Sequence, residues 1–100
     1  MLVNNAHKFN KDDIVAMKLV NGDEVVAQII SDDMMSYNIS RPCTVIPSAQ
    51  GIALMQTLVT SDSKTIGISK QHVMMIAPVI EEMKNHYIET TTGVQSEVIS

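Results

Sequence analysis

Leu19-Val20-Asn21-Gly22-Asp23-Glu24-Val25-Val26-Ala27-Gln28-Ile29 is the stretch that decides the fold. A tight reversal is written at its centre, because Asn21-Gly22 accepts the positive φ that a short hairpin demands. Beyond that turn Val25, Ala27 and Ile29 recur at every second position, the spacing that puts side chains on one face of a strand.

Outward from this hairpin, apolar runs of strand length alternate with turn chemistry. Ile14 to Val20 leads into the hairpin, Val25 to Ile30 leads out of it, and Ser31-Asp32-Asp33 closes the second run. Tyr37 to Ile46 is a third run, interrupted by Pro42, which donates nothing to a ladder and implies a sheet edge or a bulge. Pro47-Ser48-Ala49-Gln50-Gly51 turns the chain into a fourth run, Ile52 to Thr60. Ser61-Asp62-Ser63-Lys64 turns it again, Thr65 to Ser69 makes a short fifth strand, and Val73 to Val79 makes the last. Turns at this spacing predict an all-β fold, a closed or nearly closed antiparallel barrel. Val73-Met74-Met75-Ile76-Ala77 is apolar on both faces, so the strand needs cover on both, and a second subunit is the simplest cover. After Pro78 the period changes. Ile80, Met83, Tyr87 and Ile88 share one face of a helix predicted from about Val79 to about Thr91, with Glu81 and Glu82 at its positive end and Gly93 as its stop. The chain therefore divides into a polar N-terminal segment over 1–13, a barrel over 14–78, and a helix with tail over 79–100.

Composition narrows the function. One hundred residues make one domain, and 45% apolar against 18% charged residues suffices for a core. That core is aliphatic, with no Trp, one Phe, two Tyr and eight Met as soft filler. A net charge of −4 argues against nonspecific binding of a phosphate backbone, though not against a local site. The single cysteine, Cys43, excludes an internal disulfide and points to a reducing compartment. No signal-peptide core and no membrane-length apolar run is present, so a cytoplasmic location without membrane contact is expected. Nucleophile-elbow, phosphate-loop, dinucleotide and metalloprotease motifs are all absent, and His7, His72 and His86 have no metal-ligand spacing. No catalytic residue, metal or cofactor is expected. Asp32-Asp33 reads as a solvated turn before it reads as a cation site, and Cys43 as a small core residue.

The opening stretch, written Leu19-x-Asn21-Gly22-x-x-Val25-x-Ala27-x-Ile29, resembles the first half of the Sm motif. Ala27 stands where that family prefers glycine, a residue small enough to let the second strand bend sharply. Tyr37-Asn38-Ile39 is similar to the family's Met-Asn-Leu at the start of the third strand. Ile68-Ser69-Lys70-Gln71-His72-Val73-Met74-Met75-Ile76 looks like the second motif in spacing and apolar positions, but Ser69 stands for its Arg and Lys70 for its Gly. The likeness spans about residues 14 to 78, with a longer Pro47–Lys64 connection and a helix placed last instead of first. Small divergent Sm-like proteins of bacteriophage and marine origin are the nearest in kind, which implies a host cytoplasm.

This resemblance implies a small, strongly bent, SH3-like barrel with an added C-terminal helix, closed into a homo-oligomeric ring of five to seven subunits. The strand around Ile66 and Ile68 would pair with the next subunit's strand carrying Val73, Met74, Met75 and Ile76. It also implies single-stranded RNA around a central hole, held by Tyr37, Asn38 and Lys70 with Arg41 and His72 nearby. Tyr37 would stack on a base and Lys70 would meet phosphate. Each has a plainer reading: a packed strand residue, a turn former and a solvated charge. The competing function is a ring that binds other proteins or serves as a structural scaffold, suited by Met34-Met35, Met74-Met75 and the amphipathic helix.

Overall fold

The computed structural model describes residues 8–58, 60, 63 and 65–92. More than half of the described residues are in strands, arranged as one antiparallel six-stranded sheet followed by a C-terminal helix. The strands are β1 (Ile14–Leu19), β2 (Glu24–Asp32), β3 (Ser36–Ser48), β4 (Gly51–Gln56), β5 (Ile66–Ser69) and β6 (Val73–Pro78), with a single 3-10 turn Lys70–His72 between the last two and helix α1 over Glu81–Thr92. The sheet path runs β4-β3-β2-β1-β6, and β5 also pairs with β3.

The first hairpin forms where expected, with different turn chemistry. β1 ends at Leu19 and β2 begins at Glu24, so the four residues Val20, Asn21, Gly22 and Asp23 make the loop. The Gly22 amide donates to Leu19 O at 2.9 Å, and Gly22 alone takes the left-handed conformation, φ 97°. Asn21 serves instead as a side-chain acceptor, its Oδ1 taking the Asp23 amide at 3.0 Å.

Proline in β3 marks a bulge. Val26 pairs with Cys43 but Gln28 with Ser40, so two steps on β2 match three on β3. Arg41 absorbs the extra residue at φ 51°, a conformation that costs a non-glycine residue about 1 kcal/mol. The bulge also divides β3's outer edge between two partners: residues 43–48 pair with β4 and residues 36–39 with β5. The expected fourth strand, Ile52 to Thr60, is consequently cut short at Gln56. One last bond, Thr57 N–H to Pro42 O at 3.0 Å, holds the chain before it leaves.

Alternation gives this thin sheet two apolar faces. Val15, Met17, Ala27, Ile29, Tyr37 and Ile39 gather with Phe9 on one side, joined by half-buried Leu19, Ile66, Ile68, Val73 and Ile76. Ile14, Val26 and Cys43 face the other way, with Ala16, Val45 and Leu54, and there helix α1 supplies the cover through Tyr87 and Met83. Cover for β1 to β3 thus comes from the chain's own helix. The helix is narrower in its contact than its pattern suggested. Met83 and Tyr87, one turn apart, face the sheet, whereas Ile80 precedes the helix at 70% exposure and Ile88 is 39% exposed. Gly93, the expected stop, lies outside the described residues.

Candidate functional site

Tyr37 and Lys70 come together from opposite halves of the chain, while Asn38, next to Tyr37 in β3, turns to the other face of the sheet. Tyr37 and Asn38 open β3, where they pair with Ile68 and Gly67 of β5. Lys70 follows β5 directly, its amide donating to Met35 O at 2.9 Å, which seats the 3-10 turn against the β2–β3 turn. From there its ammonium reaches back, 4.7 Å from the centre of the Tyr37 ring.

Asp32, the last residue of β2, organises this cluster. Its Oδ1 accepts from Lys70 Nζ at 2.6 Å and its Oδ2 from the Phe9 amide at 2.9 Å. Only 4% of the Asp32 side chain is exposed, against a third of Lys70. Asp32 is therefore no solvated turn residue, and Lys70 no solvated charge; burying the acid requires a paired cation. Burial pushes the Asp32 carboxyl up, but the Lys70 hydrogen bond, the Phe9 amide and the charges of Lys70 and Lys8 together outweigh it and hold it below its usual value. Phe9 meets the Tyr37 ring edge-on at 6.5 Å. At 8% exposure Tyr37 is a packed residue, and burial raises its phenol above the ordinary value.

Asn38 is likewise engaged, donating through Nδ2 to Ser31 Oγ at 2.9 Å and to Asp33 Oδ2 at 2.8 Å. These bonds brace the β2–β3 turn, whose tip shows Met34 and Met35 at 88% and 63% exposure. His72 ends the 3-10 turn, exposed, with its carbonyl taking the Val20 amide at 2.9 Å. Arg41 does not join the cluster. It sits at the β3 bulge, where its carbonyl and that of Ser40 accept from Tyr87 Oη at 2.9 and 2.8 Å. A cavity of about 200 Å³ opens beside it, lined in part by Cys43, Gln56, Leu58 and Thr90. Burial raises the Cys43 thiol above its ordinary value, the opposite of what a nucleophile needs.

The residues proposed for subunit pairing divide by direction. Ile66, Ile68, Val73 and Ile76 pack against the inner cluster. Met74 and Met75 face outward at 62% and 66% exposure. Met75 pairs with Lys18 and Val73 with Leu19, so Met74 is the bulged residue of β6. Beyond β1, no ladder pairs β6 with another strand among the described residues.

Phe9 and Asp32 were not legible as members of a site. The one available signal for Asp32 was its place at the end of an apolar strand, and Phe9 was masked by polar neighbours. Among the described residues no group of three His, Cys, Asp or Glu side chains is placed to hold a metal ion, and no helix is long and apolar enough to cross a membrane. No family model and no curated protein matches this chain.

Proposed function

We propose that this chain works by self-association, as the subunit of a head-to-tail ring that serves as a structural or protein-binding scaffold. In this reading the bent sheet is an Sm-like barrel, and β6 of one copy adds to β5 of the next. One observation carries it: among the described residues β6 pairs with β1 alone and presents Met74 and Met75 to solvent, with no charged residue on the strand and only the Met74 bulge and Pro78 to interrupt its edge. Among the described residues β5 pairs with β3 alone, so its other edge is the complementary one in this reading. A heterologous contact between two different edges propagates, and closes when the rotation permits. Light scattering coupled to gel filtration tests it. The expected mass is five to seven subunits or a multiple, reduced by Met75→Lys; a monomer at micromolar concentration refutes it.

The second reading, single-stranded RNA at the Tyr37 cluster, has its own support in the approach of Lys70 to Tyr37, with Asn38 next to Tyr37 in the chain. Three features rank it below the scaffold. Asp32 already neutralises Lys70, Tyr37 is buried, and Arg41 stands elsewhere. Fluorescence anisotropy with oligo-U and oligo-A decides the matter. Saturable, salt-sensitive binding that Lys70→Ala abolishes would reverse the ranking; no binding at low salt leaves the scaffold.

A further inference from the structure

From Pro42 to Ser61 the sequence contains no charged residue, twenty positions in a chain of net charge −4. The structure turns most of this run into the β3–β4 hairpin, and β4 (Gly51–Gln56) closes one end of the sheet path. Among the described residues β4 pairs with β3 on one side only. Its Ile52 and Met55 are 49% and 59% exposed, and no lysine, proline or bulge guards the strand. Natural sheets seldom leave such an edge open.

Helix α1 lies along this strand. Its first turn, with Glu82, borders a groove at the Gly51–Ile52 end of β4. Its last turn, with Thr90, borders the cavity at the Gln56 end, where Arg41 also stands. A negative side chain therefore marks one end of the edge and a positive side chain the other.

We propose that β4 is a self-recognition edge, which pairs antiparallel with β4 of a second copy across a two-fold axis. Antiparallel pairing exchanges the strand ends. Glu82 of each copy is then brought to the end where the other copy carries Arg41, twice per interface, and the two helices lie side by side in opposite directions. The two-fold stands perpendicular to the sheet, so helix stays beside helix and the charges stay on one face. An uncharged strand lets two acidic copies meet without repulsion at the contact itself. A parallel or head-to-tail approach would instead set Glu82 beside Glu82 or leave both charges unmatched. This edge is separate from β5 and β6, so the contact is independent of ring closure, and with a ring it would join two rings.

The test is mass by light scattering for wild type and five variants at equal concentration. Wild type is expected to hold an even number of subunits. Ile52→Lys with Met55→Lys, both at exposed positions, should halve the mass. Glu82→Arg alone and Arg41→Glu alone should each lower it, and the two together should restore it, a rescue that general destabilisation does not produce. Met75→Lys should break only the ring contact and leave a dimer. A wild-type mass unchanged by the double lysine variant, an odd number of subunits, or a charge exchange without rescue would each overturn the proposal. Loss of mass through Met75→Lys with none through β4 would leave the ring standing alone.

Discussion

Replacing Tyr87 by phenylalanine removes one oxygen and probes how the helix is fastened to the sheet. That oxygen donates to Ser40 O at 2.8 Å and Arg41 O at 2.9 Å, the two carbonyls beside the β3 bulge. One hydroxyl proton is shared between them, so the deletion costs about one hydrogen bond. A net bond is worth about 1 kcal/mol, and a buried acceptor left without a donor costs about 1–3 kcal/mol. The Ser40 carbonyl is buried, while the bond to Arg41 is only partly so and its carbonyl can turn to water. Tyr87→Phe should therefore lose about 1–2 kcal/mol. Tyr87→Ala also empties the helix–sheet contact and should lose about 3–5 kcal/mol.

Urea unfolding followed by circular dichroism, at one protein concentration, measures both. Alkaline pH supplies an internal check. Burial, with a smaller push from Cys43, raises the Tyr87 phenol from 10.0 to about 12. Below pH 10 the phenol is protonated folded and unfolded, and its contribution is full. Between pH 10 and about 12 the unfolded chain ionises first, so stability falls with rising pH by up to about 3 kcal/mol. Tyr87→Phe should flatten that limb, leaving the smaller contributions of Tyr37 and Cys43. A loss below about 0.5 kcal/mol, or an alkaline limb unchanged in the variant, refutes the fastening role.

Asp32→Asn should cost about 1–2 kcal/mol in urea unfolding, because Lys70 keeps a third of its side chain in water and can be solvated when its partner goes. With its folded value below the ordinary 3.8, Asp32 contributes stability that is present above pH 3.8 and lost as pH falls through the folded value; the variant's acid limb should be shallower. Arg41→Val should cost about 1–2 kcal/mol, since a β-branched residue resists φ 51°, and thermal melts would show it. Ala27→Leu should cost about 1–3 kcal/mol by overpacking a site with no exposed surface, read from the urea midpoint.

The hairpin around Asn21-Gly22, the Pro42 bulge and the C-terminal helix were all legible, because each rests on local chemistry: left-handed backbone, a missing donor, a change of period. The length of β4 was not. Nothing in Ile52 to Thr60 says that its partner strand will hand over to β5 at a bulge eleven or more residues upstream. Which strands the helix would cover was not legible, because helix and sheet were read separately; Met83 and Tyr87 show a dedicated stripe only once the sheet behind them is known. The motif resemblance named Tyr37 and Lys70 together, and the structure sets their side chains against each other, while Asp32, which neutralises Lys70, was read as solvent-facing. Short-range patterns announce a strand; they do not announce which carboxylate a distant lysine will find.

That carboxylate bears directly on the choice between functions. A lysine committed to phosphate gains most when it is held without an internal partner, so that counterion release is the whole effect of binding. Here a nucleic acid would have to replace a 2.6 Å contact to an almost fully buried acid, and would leave Asp32 behind as an unpaired charge. Removing one partner of such a pair costs several kcal/mol, comparable to what a single phosphate contact returns. Pairing at β4 or β6, as proposed above, would break no such ion pair, since neither strand carries a charged residue and Ile52, Met55, Met74 and Met75 stand exposed. Association through strands therefore meets the lower barrier, and a nucleic acid would first have to break the Asp32–Lys70 clamp.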